Sequence, residues 1–139
     1  MACYCEYVLT ASGILKLFQM VVGAGIVFLL SEGRLDDNCY LSMRLDAFIL
    51  FIASIVFFFN ALLILICVLV GALEIPGSTV YRMNYFLATF IHVPTSIAYL
   101  CIETRTGVYV QGSIAGALGI LNSLMFLANA VMAYHPRVV

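Results

Sequence analysis

The stretch SIVFFFNALLILICVLVG, residues 54–71, places one amide, Asn60, inside an apolar run. It belongs to a segment, 47–73, longer than the roughly 20 helical residues that cross a hydrocarbon core. Three further segments have the same character, at 12–30, 84–102 and 112–134. In lipid a backbone must satisfy its own hydrogen bonds, so such segments are helices. The chain reads as an all-α membrane protein, a single domain over residues 1–139.

Composition agrees. Of 139 residues, 65% are hydrophobic and 9% charged, with a net charge of −1. Soluble domains hold about 25% charged residues, so this chain cannot present a wetted surface. The absence of a basic patch argues against nucleic acid as a partner. The N-terminal MACYCEYVLTAS lacks a basic region before the first apolar run, so the first span is expected to be an uncleaved anchor.

The connections are short: SEGRLDDNCYLSMRLD, EIPGSTVYRM and ETRTGVYVQ. Short links make successive helices antiparallel neighbours, which predicts an up-down four-transmembrane-helix bundle. Charge does not orient it. Lys16, Arg82 and Arg137 fall on one side and Arg34, Arg44 and Arg105 on the other, a tie under the positive-inside rule.

Spacing of three and four gives each span one stripe of small and polar residues. Span two offers Ala53, Phe57, Asn60, Ile64, Cys67 and Gly71. Span four offers Gly112, Ala115, Gly116, Gly119, Asn122, Ser123, Asn129 and Ala130. Span one presents Lys16, Gln19, Gly23 and Ile26, and span three Tyr85, Ala88, His92, Thr95 and Tyr99. In lipid, helices associate through close backbone approach at small residues and through hydrogen bonds between buried polar groups. Interhelical packing or bonding is therefore assigned to Asn60, His92, Gly112, Gly116, Gly119, Asn122 and Asn129. Asn60 is expected to bond across the bundle, with Asn122 as its first candidate partner.

An ionisable group in a span is a functional candidate by default. His92 has no carboxylate in its span, and Glu103 lies about 16 Å along the helix. A neutral His92 bonded to a neighbour is preferred to a proton relay. Pro94 should free the Phe90 carbonyl, with Thr95 and Ser96 placed to relieve the defect. Lys16 is read as an anchor whose stem reaches back to the headgroups.

No HExxH, CxxC, GxSxG or paired intramembrane carboxylate is present, so an enzyme is not expected. The five cysteines and two histidines lack metal-ligand spacing, and no cofactor is implied.

GILKLFQMVVGAGIVFLL, NYFLATFIHVPTSIAYLC and GALGILNSLMFLANAVMAYH together resemble the first, third and closing spans of the MARVEL-domain family. The first carries the leucine-lysine pair and the glutamine that precede a small-residue run. Nearest in style are the small chemokine-like-factor and MAL-type members, and the likeness covers nearly all of the chain. Claudins are excluded by the absence of Trp, and tetraspanins by the absence of CCG and of a large second outer loop. The resemblance implies cytoplasmic termini, no active site, and a role in vesicle trafficking, cell junctions or membrane apposition at the plasma membrane or on vesicles. Membrane lipids and other membrane proteins, or further copies of the chain, are the implied partners. The first loop is shorter and more acidic than in junctional members, and no long cytoplasmic tail is expected after the last span.

In that topology Cys3 and Cys5 are juxtamembrane and cytoplasmic, which makes them palmitoylation candidates. Cys39 and Cys101 face the oxidising side; a free thiol at Cys101 is preferred, and a Cys39–Cys101 disulfide is the alternative. The rival function is an oligomeric channel or transporter subunit, with Asn60, His92 and Asn122 lining a polar path.

Overall fold

The computed structural model describes residues 5–32, 44–72, 74–107 and 110–134. After a short 3-10 helix, Cys5–Leu9, come α1 (Ala11–Glu32), α2 (Leu45–Leu69), α3 (Thr79–Thr106) and α4 (Val110–Met132), with a one-turn 3-10 helix, Ile75–Gly77, before α3. All four α-helices are long and apolar enough to cross a membrane. No strand occurs among the described residues.

The helix ends have local causes. The Gly13 amide donates to the Thr10 hydroxyl at 3.2 Å, covering an orphan donor in the first turn of α1. α2 stops at Leu69, short of the expected end, and Gly71 then takes a φ of 114°, open to glycine alone. α3 starts five residues earlier than expected because Ser78 caps it, accepting from the Tyr81 amide at 3.2 Å. It runs without a break through Pro94 and ends at Gly107, whose φ of 62° is the left-handed turn-off common after helices.

The helices form an antiparallel ring in which α1 and α3 each pack against α2 and α4. Gly23 of α1 faces Ser54 and Phe58 of α2. Gly112, Gly116 and Gly119 of α4 meet Glu103, Leu100 and Ser96 of α3 in turn. Their chain order fixes the register: as α4 rises, its partners on α3 fall. At Gly116 a Cβ would lie 2.9 Å from Leu100 Cβ and 3.1 Å from Leu100 Cα, so α3 and α4 touch backbone to backbone there.

Two apolar clusters fill the interior. One joins Tyr7, Phe57, Val68, Tyr81, Tyr85 and Phe126; the other joins Ile26, Leu30, Ala47, Leu50, Tyr99 and Ala115. Bulky side chains such as Phe18, Val21, Phe28, Val56, Phe59, Leu63, Phe90 and Leu124 point outward, as a lipid-facing surface requires.

The stripes on α1 and α4 are buried residue for residue: Lys16, Gln19, Gly23 and Ile26, and all eight positions of span four. On α2 the buried face is rotated from the expected one. It comprises Ala47, Leu50, Ala53, Ser54, Phe57, Ala61, Ile64, Leu65 and Val68. Asn60 and Cys67 sit at its edge, half-buried, and Gly71 is exposed.

Candidate functional site

Buried polar side chains occur at three levels of the bundle. At the first, Lys16 is fully buried. Its ammonium donates to Tyr7 Oη at 2.8 Å, to Ser12 Oγ at 3.0 Å and to Tyr81 Oη. It also lies 5.3, 4.8 and 5.7 Å from the ring centres of Tyr7, Tyr81 and Tyr85, within cation–π range. The reading of Lys16 as a headgroup anchor is therefore corrected. The turn of chain before α1 folds back and brings Tyr7 over the lysine, so the stem points inward. Gly13 permits this return, since a Cβ there would meet the Tyr7 carbonyl oxygen at 2.2 Å.

The same level ties α1 to α4. Ser12 Oγ donates to Asn129 Oδ1 at 3.3 Å, and Asn129 Nδ2 donates to Gln19 Oε1 at 3.1 Å. Tyr81 is buried with its hydroxyl on Lys16.

At the middle level stand His92 and Ser96 on α3, Ser54 on α2 and Asn122 on α4, all almost wholly buried. The His92 ring centre lies 5.6 Å from that of Phe57 and 5.2 Å from that of Phe126. Neither ring nitrogen has a hydrogen-bond partner among the described residues; the Ala53 backbone approaches without reaching bonding geometry. The oxygens Ser54 Oγ, Ser96 Oγ and Asn122 Oδ1 also lack partners there. The expected Asn60–Asn122 bond is thus not formed, because the rotation of α2 carries Asn60 to the edge of the buried face. The expected bond from His92 to a neighbour is not formed either. Below Pro94, Thr95 Oγ1 donates to the Ile91 carbonyl at 2.6 Å, while Ser96 takes no part.

At the third level, Arg44 bonds Asp46 at 2.7 Å and Glu103 at 3.0 Å, with its guanidinium carbon 5.5 Å from the Tyr99 ring centre. The hydrogen bond to Asp46 raises the guanidinium pKa, against the opposing effect of burial, and the charge of Glu103 adds to the rise. Gly112 gives the Glu103 carboxylate its space: a Cβ there would come within 2.7 Å of Oε2. The pair joins the start of α2 to the end of α3. The Arg44 side chain is 36% exposed, so its ion pairs contribute little. Arg44→Gln is expected to lower stability by about 0.2–1 kcal/mol. The loss should shrink in high salt, as compared by unfolding in mixed micelles at two ionic strengths.

Cys101 is an exposed free thiol. Cys3 and Cys39 lie outside the described residues, as does the side chain of Cys5. Among the described residues no three His, Cys, Asp or Glu side chains converge as metal ligands would. The sequence signal for Lys16 was its register with Gln19 and Gly23; for the Arg44–Glu103 pair there was none, because it joins residues 59 positions apart. Compared with known proteins, the chain matches no family model, no curated protein and no solved structure.

Proposed function

We propose that the protein is a non-enzymatic, MARVEL-like membrane organiser acting at cell contacts or on trafficking vesicles through helix–helix and helix–lipid contacts. The observation that supports this reading is the partition of side chains. Most polar groups in the spans are spent inside the bundle, and the lipid-facing surface is a sheath of Phe, Val, Ile and Leu. Such a body is built to sit among lipids and membrane proteins, with its termini proposed on the cytoplasmic side. A tagged protein at native expression is expected at cell borders or on vesicles. A diffuse endoplasmic reticulum pattern that persists would sink the proposal.

A second reading, a subunit of a channel or transporter, is favoured by one feature of α3. Tyr81, Tyr85, His92, Ser96, Tyr99 and Glu103 are all buried on a single face. From first to last they extend about 33 Å, close to the thickness of the hydrocarbon core. In this reading the path runs along α3 and Asn122, and Asn60 is not part of it. It requires proton or ion flux in reconstituted vesicles that His92→Ala alters; vesicles as tight as protein-free controls would exclude it.

A further inference from the structure

We infer that the protein pairs with a second copy of itself along the lipid-facing edge of α2, with Asn60 of one copy hydrogen-bonded to Asn60 of the other. Asn60 is half-buried, and its side chain makes no hydrogen bond among the described residues. It stands about 14 Å from the nearer end of α2, too deep for so short a side chain to reach the headgroups. The half-buried hydroxyls at similar depth, Thr89 and Thr95, each donate to the carbonyl one turn back, at 2.9 and 2.6 Å. Asn60 makes no such bond.

Hydrocarbon offers an amide neither donor nor acceptor, and an unpaired polar group there is costly. Polar side chains in lipid therefore find partners across helices. Which partner suits Asn60 follows from its surroundings. One turn to either side stand Val56 and Leu63, 53% and 60% exposed, and two turns on stands the half-buried Cys67. No charge lies on this face, so it fits a partner surface that is apolar apart from one amide at the same depth. A second copy in the same membrane supplies that surface. A two-fold axis along the membrane normal sets residue 60 against its own counterpart, with the two α2 helices parallel. An asparagine carries both a carbonyl acceptor and an NH2 donor, so two of them bond reciprocally. Val56, Asn60, Leu63 and Cys67 follow one another at four, three and four residues, the repeat by which parallel helices pack along a seam. A single asparagine in such a seam fixes register and the number of strands.

The pairing is independent of the functional reading above. The test is energy transfer between donor- and acceptor-labelled full-length chains, mixed in phosphatidylcholine vesicles at graded protein-to-lipid ratios. Transfer above that of random proximity is expected, rising linearly with the acceptor fraction as a dimer requires. Asn60→Val should weaken association about tenfold, the effect of losing interhelical hydrogen bonding of this kind. Asn60→Gln, which keeps the amide, should retain most of the association. Leu124→Ala, on the lipid-facing side of α4, should leave it unchanged. Transfer at the random level in the unmodified protein overturns the inference and leaves the amide to a different membrane protein. Undiminished association in Asn60→Val overturns it too, since the copies then meet elsewhere. So does a lower melting temperature for Asn60→Val at dilutions where the chain is monomeric, which marks a partner for the amide within its own bundle.

Discussion

Gly116→Ala is expected to destabilise the bundle, and Gly25→Ala to stabilise it, although both add one methyl to a membrane helix. Within a helix, alanine is favoured over glycine by about 1 kcal/mol, so an unopposed methyl helps. At Gly25 nothing opposes it, since only Leu118 Cδ1, at 3.9 Å, is near. At Gly116 the new Cβ would stand 2.9 Å from Leu100 Cβ, 3.1 Å from its Cα and 3.2 Å from its backbone nitrogen. These are not side-chain ends that can swing away, so α3 itself must move. Overpacking of this kind costs typically 1–3 kcal/mol, which exceeds the propensity gain. The net loss should be roughly 0.5–2 kcal/mol. Gly119→Ala should cost less: rotation of one bond removes the Ser96 hydroxyl, which leaves Ser96 Cβ at 3.0 Å as the one fixed atom in the way, against three at Gly116. Unfolding in mixed micelles, followed by circular dichroism, gives the order. If Gly116→Ala matched Gly25→Ala in stability, the close α3–α4 contact would be wrong.

That contact also marks how far the sequence could be read. Span four contrasts Gly, Ala and Asn with Leu, Ile and Phe at a spacing of three and four, and all eight of its stripe positions are buried. Span two lacks contrast. Its residues are apolar all round, so no period distinguishes the core face from the lipid face. Ser54 and Asn60 were its only markers among polar side chains; Ser54 is buried, whereas the amide, the one used, lies at the margin, one residue before the buried Ala61. Register is a different problem. That Gly116 meets Leu100 and Gly119 meets Ser96 depends on where α3 and α4 turn into their link, which the flanking spans do not encode. The polar levels were half legible for the same reason. Lys16, Gln19 and Gly23 share a face by arithmetic alone, whereas Lys16 and Tyr81 meet only because Ser78 starts α3 early enough to include the tyrosine.

A double-mutant cycle on Lys16 and Tyr81 is expected to show strong coupling. A lysine costs about 2.5–3.5 kcal/mol at the centre of a membrane helix on insertion scales and less toward an end, where Lys16 stands, so its partners offset a part of that. Tyr81→Phe keeps the ring and its cation–π contact but removes an acceptor from the ammonium, a hydrogen bond to a charged group valued at about 1.5–3 kcal/mol. Lys16→Met keeps a chain of similar length and removes the charge, which leaves the buried Tyr81 hydroxyl without its donor. An unpaired buried hydroxyl costs about 1–3 kcal/mol. Lys16→Met therefore strands the Tyr81 hydroxyl, while Tyr81→Phe takes one of three acceptors from an ammonium that keeps Tyr7 and Ser12. The double variant strands neither, because thioether and phenyl ring are both apolar, and swaps that remove a buried polar pair together are often neutral. Its loss should fall short of the sum of the singles by at least 1 kcal/mol, within the 0.5–3 kcal/mol typical of contacting pairs. Additivity to within about 0.5 kcal/mol is the behaviour of distant residues. It would mean that the Lys16 ammonium does not meet Tyr81, and the polar level joining α1 to α3 would fall with it.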